Sequence, residues 1–524
     1  MKTLLSSGLV GWLSVSLFAC AGSDDAQAPL VPVPAPPAAA EMTVEPSSPA
    51  PTPANPPAPT PPSDDGSAVA PEVPPAPVLV APAELNWRAC GEFDDHNLEC
   101  AEVEVPIDYA QPDGEKLPIA VRRILASPLE PHHGALLFNP GGPGGEGIDS
   151  TLSLFKGKIF DQIAPGFDIV GFDPRGVGAS GERGCGIAEP DLYPVKTTEQ
   201  VPGPEADVQS FKDAGAACEK EWGPLFRKLG SNNVVRDIEE IRKALKEPLL
   251  NFYGGSYGTR LGALYAHDYP ETTGRIVLDA PVDPRVSFVE LLRGQFQQLV
   301  ALHERLFANC DSGAFACPPN ARDVFTQILA NATGRGLEVA FVSAWRAGFE
   351  SAPGIEGLIA ALGAEAATPG GDWIVSFVGG GQESGESQIG IVPFWSVSCT
   401  DDTVEPPTID QIASVEAEFL QASPLFADEA RIVSACAGWP TTRDPVPLPT
   451  APSARPLLVI GGTADVHTPY PWAQAMTEAL GNATLLTSNH IGHGAVLFGS
   501  DCVRAAIRAY LTSGSLPASG AVCP

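Results

Sequence analysis

Three residues in the chain order serine, acid, histidine have the surroundings needed for nucleophilic chemistry. Ser256 lies in Gly254-Gly-Ser-Tyr-Gly258, a match to G-x-S-x-G directly after the apolar Leu249, Leu250 and Phe252. A serine hydroxyl is a weak nucleophile. It needs a base to take its proton, an acid to orient that base, and N–H donors for the oxyanion that forms. Leu457-Leu-Val-Ile460 runs into a loop carrying Asp465, and Ala483–Thr487 leads to His493, on a mobile turn between Gly492 and Gly494 able to aim a ring. Ser256, Asp465 and His493 are therefore the expected triad. Asp279 and Asp283 compete for the acid, and His490 and His467 for the base. Asp465 is preferred because the acid usually lies nearer the histidine in the chain.

The oxyanion donors are expected to be the N–H after the nucleophile, on Tyr257, and one from the glycine-rich loop Asn139-Pro-Gly-Gly-Pro-Gly-Gly145, at Gly142. The same loop offers a decoy. Gly142, Gly144 and Gly147 fit G-x-G-x-x-G, with Asp173 ending the next strand-like run, as in a dinucleotide site. Pro143 stiffens that turn, and a cofactor site would leave Ser256, Asp465 and His493 without a role. No cofactor and no metal are expected; none of the cysteines forms a C-x-x-C pair.

Positioning these groups takes a sheet. The strand candidates Ala135–Phe138, Phe167–Phe172, Leu249–Tyr253, Arg275–Leu278, Leu457–Ile460 and Ala483–Thr487 alternate with helical segments such as Val234–Leu245 and Arg260–Tyr269. That rhythm predicts an α/β fold with a mostly parallel sheet covered on both faces. A hairpin, Ala101–Val105 and Leu117–Leu125 around Gln111-Pro-Asp-Gly114, precedes it. Residues 284–452 break the rhythm and read as an inserted, mainly helical cap, leaving 85–283 and 453–524 as the core.

The amino end reads differently. Residues 1–20 pair Lys2 with a short apolar core and end in Leu17-Phe-Ala-Cys20, the pattern of an export signal whose Cys20 is lipidated. Residues 21–84 are rich in Pro and Ala and cannot bury enough surface to fold, so they read as a disordered stalk. The only membrane contact expected is the lipid at Cys20. The charge of −32 argues against nucleic-acid partners. Apart from Cys20, ten of the eleven cysteines remain, an even number in an exported chain. The nearest-neighbour pairing 90–100, 185–218, 310–317, 399–436 and 502–523 is expected.

Asn139–Gly145, Asp173-Pro-Arg-Gly-Val-Gly-Ala-Ser180, Tyr253-Gly-Gly-Ser-Tyr-Gly-Thr259 and Gly492-His-Gly494 together resemble secreted tripeptidyl aminopeptidases, serine peptidases of the α/β-hydrolase fold akin to prolyl aminopeptidases. The resemblance covers roughly residues 86–524. It implies a triad of Ser256, Asp465 and His493, a hole formed by Gly142 or Gly141 with Tyr257, a structural role for Asp173–Ser180, and release of short peptides from free N-termini. The chain departs from the family pattern at Glu146, usually Ser, and Ala280, usually Gly. An exopeptidase must hold the substrate ammonium, for which Asp401, Asp402 and Glu146 are the candidates. The alternatives are a carboxylic-ester hydrolase using the same triad and a non-catalytic peptide-binding lipoprotein.

Overall fold

The computed structural model describes residues 85–93, 96–187, 203–380 and 390–524. The export segment 1–20 with Cys20, and the stalk 21–84, lie outside the described residues. Ten strands form one sheet in the order β1-β2-β3-β5-β4-β6-β7-β8-β9-β10. They are β1 (Arg88–Phe93), β2 (His96–Pro106), β3 (Lys116–Ile124), β4 (Ala135–Asn139), β5 (Asp168–Phe172), β6 (Leu250–Gly255), β7 (Thr273–Asp279), β8 (Leu457–Ala464), β9 (Ala483–Ile491) and β10 (Val522–Cys523). Strands β1 to β3 are antiparallel, and β3 meets β5 antiparallel. From β5 across to β10 every pairing is parallel.

The strands of the parallel part are apolar almost throughout because both their faces are covered. Leu137, Phe252, Leu278 and Val459 point into one core, with the helices Ser231–Ala244 and Gly258–Asp268. Their neighbours Leu136, Phe138, Tyr253, Val277, Leu458 and Ile460 point into the other, with the helix Asp501–Ser513. This two-residue alternation fixes each strand's register, since a slip by one would exchange the two cores.

Between β7 and β8 the described residues from Phe288 to Gly438 are mainly helical, with loops between the helices. The insertion opens on a capping box, with the Glu290 N–H donating to Ser287 Oγ at 3.3 Å and the Ser287 N–H donating to Glu290 Oε2 at 3.0 Å. Its apolar interior is continuous with the core on one face of the sheet. All five cysteine pairs expected from the sequence lie at bonding distance, with Cα separations from 4.8 to 5.8 Å.

The Asp173–Ser180 loop is structural. Asp173 Oδ1 accepts from the Ile148 N–H at 3.0 Å and Oδ2 from the Ala179 N–H at 2.9 Å, so this carboxylate is already used by backbone donors. Arg175, fully buried, makes a two-pronged pair with Asp237 at 2.7 and 2.6 Å and donates to the carbonyls of Pro106, Ile107 and Lys228. This pair ties the antiparallel hairpin to the helix Ser231–Ala244. Asp237→Ala is expected to cost about 3–5 kcal/mol, because it leaves a buried guanidinium without its counter-charge. Urea denaturation measures this, and a loss under about 1 kcal/mol would contradict the role.

Candidate active site

Strand order reverses at β4, which pairs with β5 on one side and β6 on the other. In open α/β sheets, groups that act on ligands collect at the carboxyl ends of strands beside such a switch point. Four loops leave carboxyl ends on this side of the sheet, after Asn139 on β4 and Gly255 on β6 at the switch point and after Ala464 on β8 and Ile491 on β9 farther along.

Ser256 sits in the turn from β6 to the helix Gly258–Asp268 with φ +52°, the left-handed region. A non-glycine residue there costs roughly 1–2 kcal/mol. The turn is held by the Ser256 N–H donating to the Asp279 carbonyl at 2.9 Å and the Thr259 N–H donating to the Ser256 carbonyl at 2.9 Å. The turn is also tight: a Cβ on Gly254 would stand 2.3 Å from the Gly258 oxygen. The glycine-rich loop packs directly on the serine, since a Cβ on Gly141 would meet Ser256 Cβ at 2.8 Å and the Tyr257 nitrogen at 3.1 Å. Gly142, next in the loop, lines the same cavity as Ser256 and Tyr257.

Asp465, fully buried, accepts from His493 Nδ1 with both oxygens at 2.9 Å. It also accepts from the N–H groups of His467 and Thr468 at 2.9 Å and from the Thr468 hydroxyl at 2.9 Å. Burial pushes this carboxyl up, but the His493 charge and these donors outweigh it and hold it at about 2. The ionised carboxylate has only acceptors to offer, so it fixes the His493 proton on Nδ1 and leaves Nε2 as an acceptor. Burial lowers the His493 pKa, yet the Asp465 charge and hydrogen bond prevail and raise it above its ordinary value.

The rivals are engaged with other partners. Asp279 accepts from the Ala495 and Val496 N–H groups at 2.9 Å and from the Tyr253 hydroxyl at 2.5 Å, holding the helix that follows His493. Asp283 pairs with Arg285 at 3.0 Å. His490 Nδ1 lies 2.9 Å from the Ser488 hydroxyl, and burial lowers its pKa. His467 faces Glu350 at 3.6 Å. The turn carrying His493 is not the mobile element its flanking glycines suggest. The Gly492 N–H donates to the Ala464 carbonyl at 3.2 Å, and the His493 N–H to the carbonyl of Glu350, from the insertion, at 3.3 Å.

Ser256, His493, Thr468 and Tyr257 line one cavity of about 110 Å³ with Arg260, Asp401 and Asp402. Its other walls are largely apolar, including Val282, Phe288, Leu292, Phe394 and Val446. Of the three carboxylates expected to meet a substrate ammonium, the structure brings two here. Glu146 is not among the lining residues. It precedes the helix Gly147–Lys156, and burial first, then Asp149, Asp173 and Glu182, push its carboxyl up to about 7. Asp402 is buried, and its Oδ1 accepts from Phe288 and Val404 N–H groups at 3.3 and 3.4 Å. Asp401 spends both oxygens on Ser231, with Arg260 Nη1 at 3.7 Å.

Sequence reasoning passed over Thr468, Ser231, Arg260 and Glu350. Thr468 carried a usable signal, an aspartate three residues before a threonine in a strand-end loop, where side chains often bond nearby backbone. The others come from distant parts of the chain. Ala280 has φ +57° and holds the left-handed backbone that glycine adopts without strain.

The two buried histidines are expected to titrate in opposite directions. By NMR, His493 should hold its proton to a pH above the ordinary histidine value and His490 should lose its proton below that value. Asp465→Asn should bring the His493 midpoint down, because the raising charge is gone; an unchanged midpoint would contradict this pairing.

Residues 134–315 match the family described as alpha/beta hydrolase fold, and residues 423–523 the family described as TAP-like protein. The chain is 31% identical over 491 residues to carboxylesterase B of Mycobacterium tuberculosis, covering 86% of this chain and 92% of that one. It is 27% identical over 486 residues to tripeptidyl aminopeptidase of Streptomyces coelicolor, covering 84% and 86%. Serine protease Hip1 of Mycobacterium tuberculosis is 27% identical over 466 residues, covering 81% and 87%. Likeness over more than four fifths of the chain, with matched segments that carry Ser256, Asp465 and His493, shows that the chain belongs to the tripeptidyl-aminopeptidase-like serine hydrolases of the α/β-hydrolase fold.

Proposed function

We propose that the protein is an exported serine exopeptidase that releases di- or tripeptides, or prolyl units, from the free N-termini of peptides. The observation that carries this reading is the buried Asp402 carboxylate on the wall of a mostly apolar cavity that also holds Ser256 and His493. Apolar walls suit peptide side chains, and a carboxylate in such surroundings suits an ammonium group. Asp401 is less suited, since its oxygens are engaged within the protein. Relatives named tripeptidyl aminopeptidase and serine protease support a peptide substrate.

In this reading His493 Nε2 takes the Ser256 proton as Oγ attacks the scissile carbonyl. Asp465 stabilises the imidazolium that results, while the Tyr257 and Gly142 N–H groups face the developing oxyanion. His493 then gives its proton to the departing amine, leaving an acyl-enzyme that a water, activated by the same ring, hydrolyses. The catalytic step needs neutral His493, so kcat/KM rises with pH through a midpoint above the ordinary histidine value.

Five cysteine pairs at bonding distance support folding in an oxidising compartment, and Leu17-Phe-Ala-Cys20 supports a lipid anchor at Cys20. No nucleic-acid partner is proposed for so acidic a chain. The carboxylesterase B relative favours a second reading, ester hydrolysis by the same triad. An ester without an ammonium group gains nothing from Asp402.

Ser256→Ala should lower turnover by roughly 10⁴ to 10⁶ with folding intact. Near wild-type rates in that variant would sink the triad. A fluorogenic panel of free and N-acetylated aminoacyl, dipeptidyl and tripeptidyl amides, with short-chain esters alongside, separates the two readings. Acetylation should cost about ten- to a hundredfold in kcat/KM, the worth of a charge-assisted hydrogen bond. Asp402→Asn should shrink that gap. Equal hydrolysis of free and blocked amides, with faster esters, would move the assignment to an esterase.

A further inference from the structure

Asp401 is two residues beyond Cys399 at the end of the helix Ile391–Thr400, which Cys436 ties to the last helix of the insertion. Its backbone is fixed by two bonds from the segment leading back to β8. The Asp444 N–H donates to the Thr400 carbonyl at 2.9 Å, and the Val446 N–H to the Asp401 carbonyl at 3.2 Å. The side chain, fully buried, faces the first turn of the helix Ser231–Ala244. The Ser231 N–H donates to Oδ1 at 2.8 Å and the Ser231 hydroxyl to Oδ2 at 2.5 Å. A carboxylate at a helix N-terminus is favourable, and a cap would need nothing more.

The chain of contacts goes further. The Ser231 oxygen lies 2.5 Å from the Tyr257 hydroxyl. Serine has one hydroxyl proton, and it goes to the ionised Asp401. The contact with Tyr257 must therefore run the other way, from the tyrosine hydroxyl to the serine oxygen. The result is a directed relay from Tyr257 through Ser231 to Asp401. Arg260, in the first turn of the helix Gly258–Asp268, places Nη1 3.7 Å from Asp401 Oδ2. The residue that follows the nucleophile is thus gripped at the far end of its ring, and the turn beyond it is held by the same carboxylate.

We propose that Asp401 is a positioning residue for the reaction, holding the Tyr257 backbone N–H toward the oxyanion through the Ser231 hydroxyl. This rests on the reading of Tyr257 N–H as an oxyanion donor. It assigns the insertion a part in chemistry beyond covering the cavity, and it gives Asp401 a task other than meeting the substrate. A phenol anchored at its hydroxyl restricts the ring, and through the ring the φ and ψ of Tyr257. Errors of an ångström in such a donor are costly, because its worth depends on being aimed before the charge forms.

The test is a set of variants assayed on a hydrolysed ester or amide, with KM and kcat separated. Removing an oxyanion donor costs about 10² to 10³ in rate, so loosening one should cost roughly ten- to a hundredfold in kcat. Tyr257→Phe, Ser231→Ala and Asp401→Ala should each show this loss with KM within about twofold, the mark of an interaction made in the transition state. Asp401→Asn, which keeps the shape and one acceptor, should recover part of it. The double variant Ser231→Ala with Tyr257→Phe should be no slower than the slower single, because the two act as one unit. A trifluoromethyl ketone that forms a tetrahedral oxyanion adduct should weaken in proportion to kcat/KM across the set.

Thermal unfolding of Tyr257→Phe, the mildest change, confirms that the losses are measured on folded protein. Lower stability with unchanged kcat would overturn the proposal and leave Asp401 a helix cap. A raised KM with kcat preserved would overturn it in favour of a substrate contact. Losses that multiply in the double variant would also overturn it, since a relay cannot be broken twice. Wild-type protein that turned over neither esters nor amides would remove the hydrolase reading and this proposal together. The other three outcomes remove the proposal alone.

Discussion

The left-handed backbone at Ser256 is the constraint on which the rest of the site depends. A serine at φ +52° is unfavourable in isolation, and only the surrounding frame keeps it there. The frame comes from β7, whose last carbonyl takes the Ser256 N–H, and from the glycine loop after β4, which comes within van der Waals contact of the serine. Both elements belong to the rigid centre of the sheet, buried on its two faces. Ser256 and Tyr257 both line the cavity at the carboxyl end of β6.

Around that point the structure arranges charge in opposite ways. Asp465 is taken fully out of water but given enough donors and a histidine to remain ionised. Asp401, equally buried, has fewer, and burial pushes its carboxyl up to about 6 despite Arg260 and Ser231. The contrast follows from donor count. Asp465 receives the His467 and Thr468 amides, the Thr468 hydroxyl and the His493 ring, whereas Asp401 receives one amide, one hydroxyl and a more distant guanidinium. The insertion contributes at both ends of the site, through the Glu350 carbonyl on the His493 turn and through Asp401 beneath Tyr257.

The parallel strands and the loops at their carboxyl ends were legible because local pattern and global position agree there. Leu457–Ile460 is apolar enough to be buried on both faces, and the next residues carry the acid. Strand β1 was not legible, since Arg88–Phe93 is mostly exposed and shows no alternation, and β10 has only two residues. Glu146 looked well placed because it adjoins the glycine loop in sequence, but the chain enters a helix at the next residue and leaves it in an acidic group away from the cavity. Asp401 was legible as a cavity residue but not as Ser231's partner. The two are 170 positions apart, and no periodicity in either segment signals the contact. The His493 turn misled for a similar reason: the bond that pins it arrives from Glu350, far away in the chain.

Trapping the serine shows whether Ser256 is a nucleophile activated by His493. The purified protein is treated with a fluorophosphonate, digested and mapped by mass spectrometry. One adduct is expected, on the peptide containing Ser256, formed far more slowly in His493→Ala and at an ordinary rate in His490→Ala. An adduct on another serine, or a protein that hydrolyses its substrates while Ser256 stays unmodified, would contradict it.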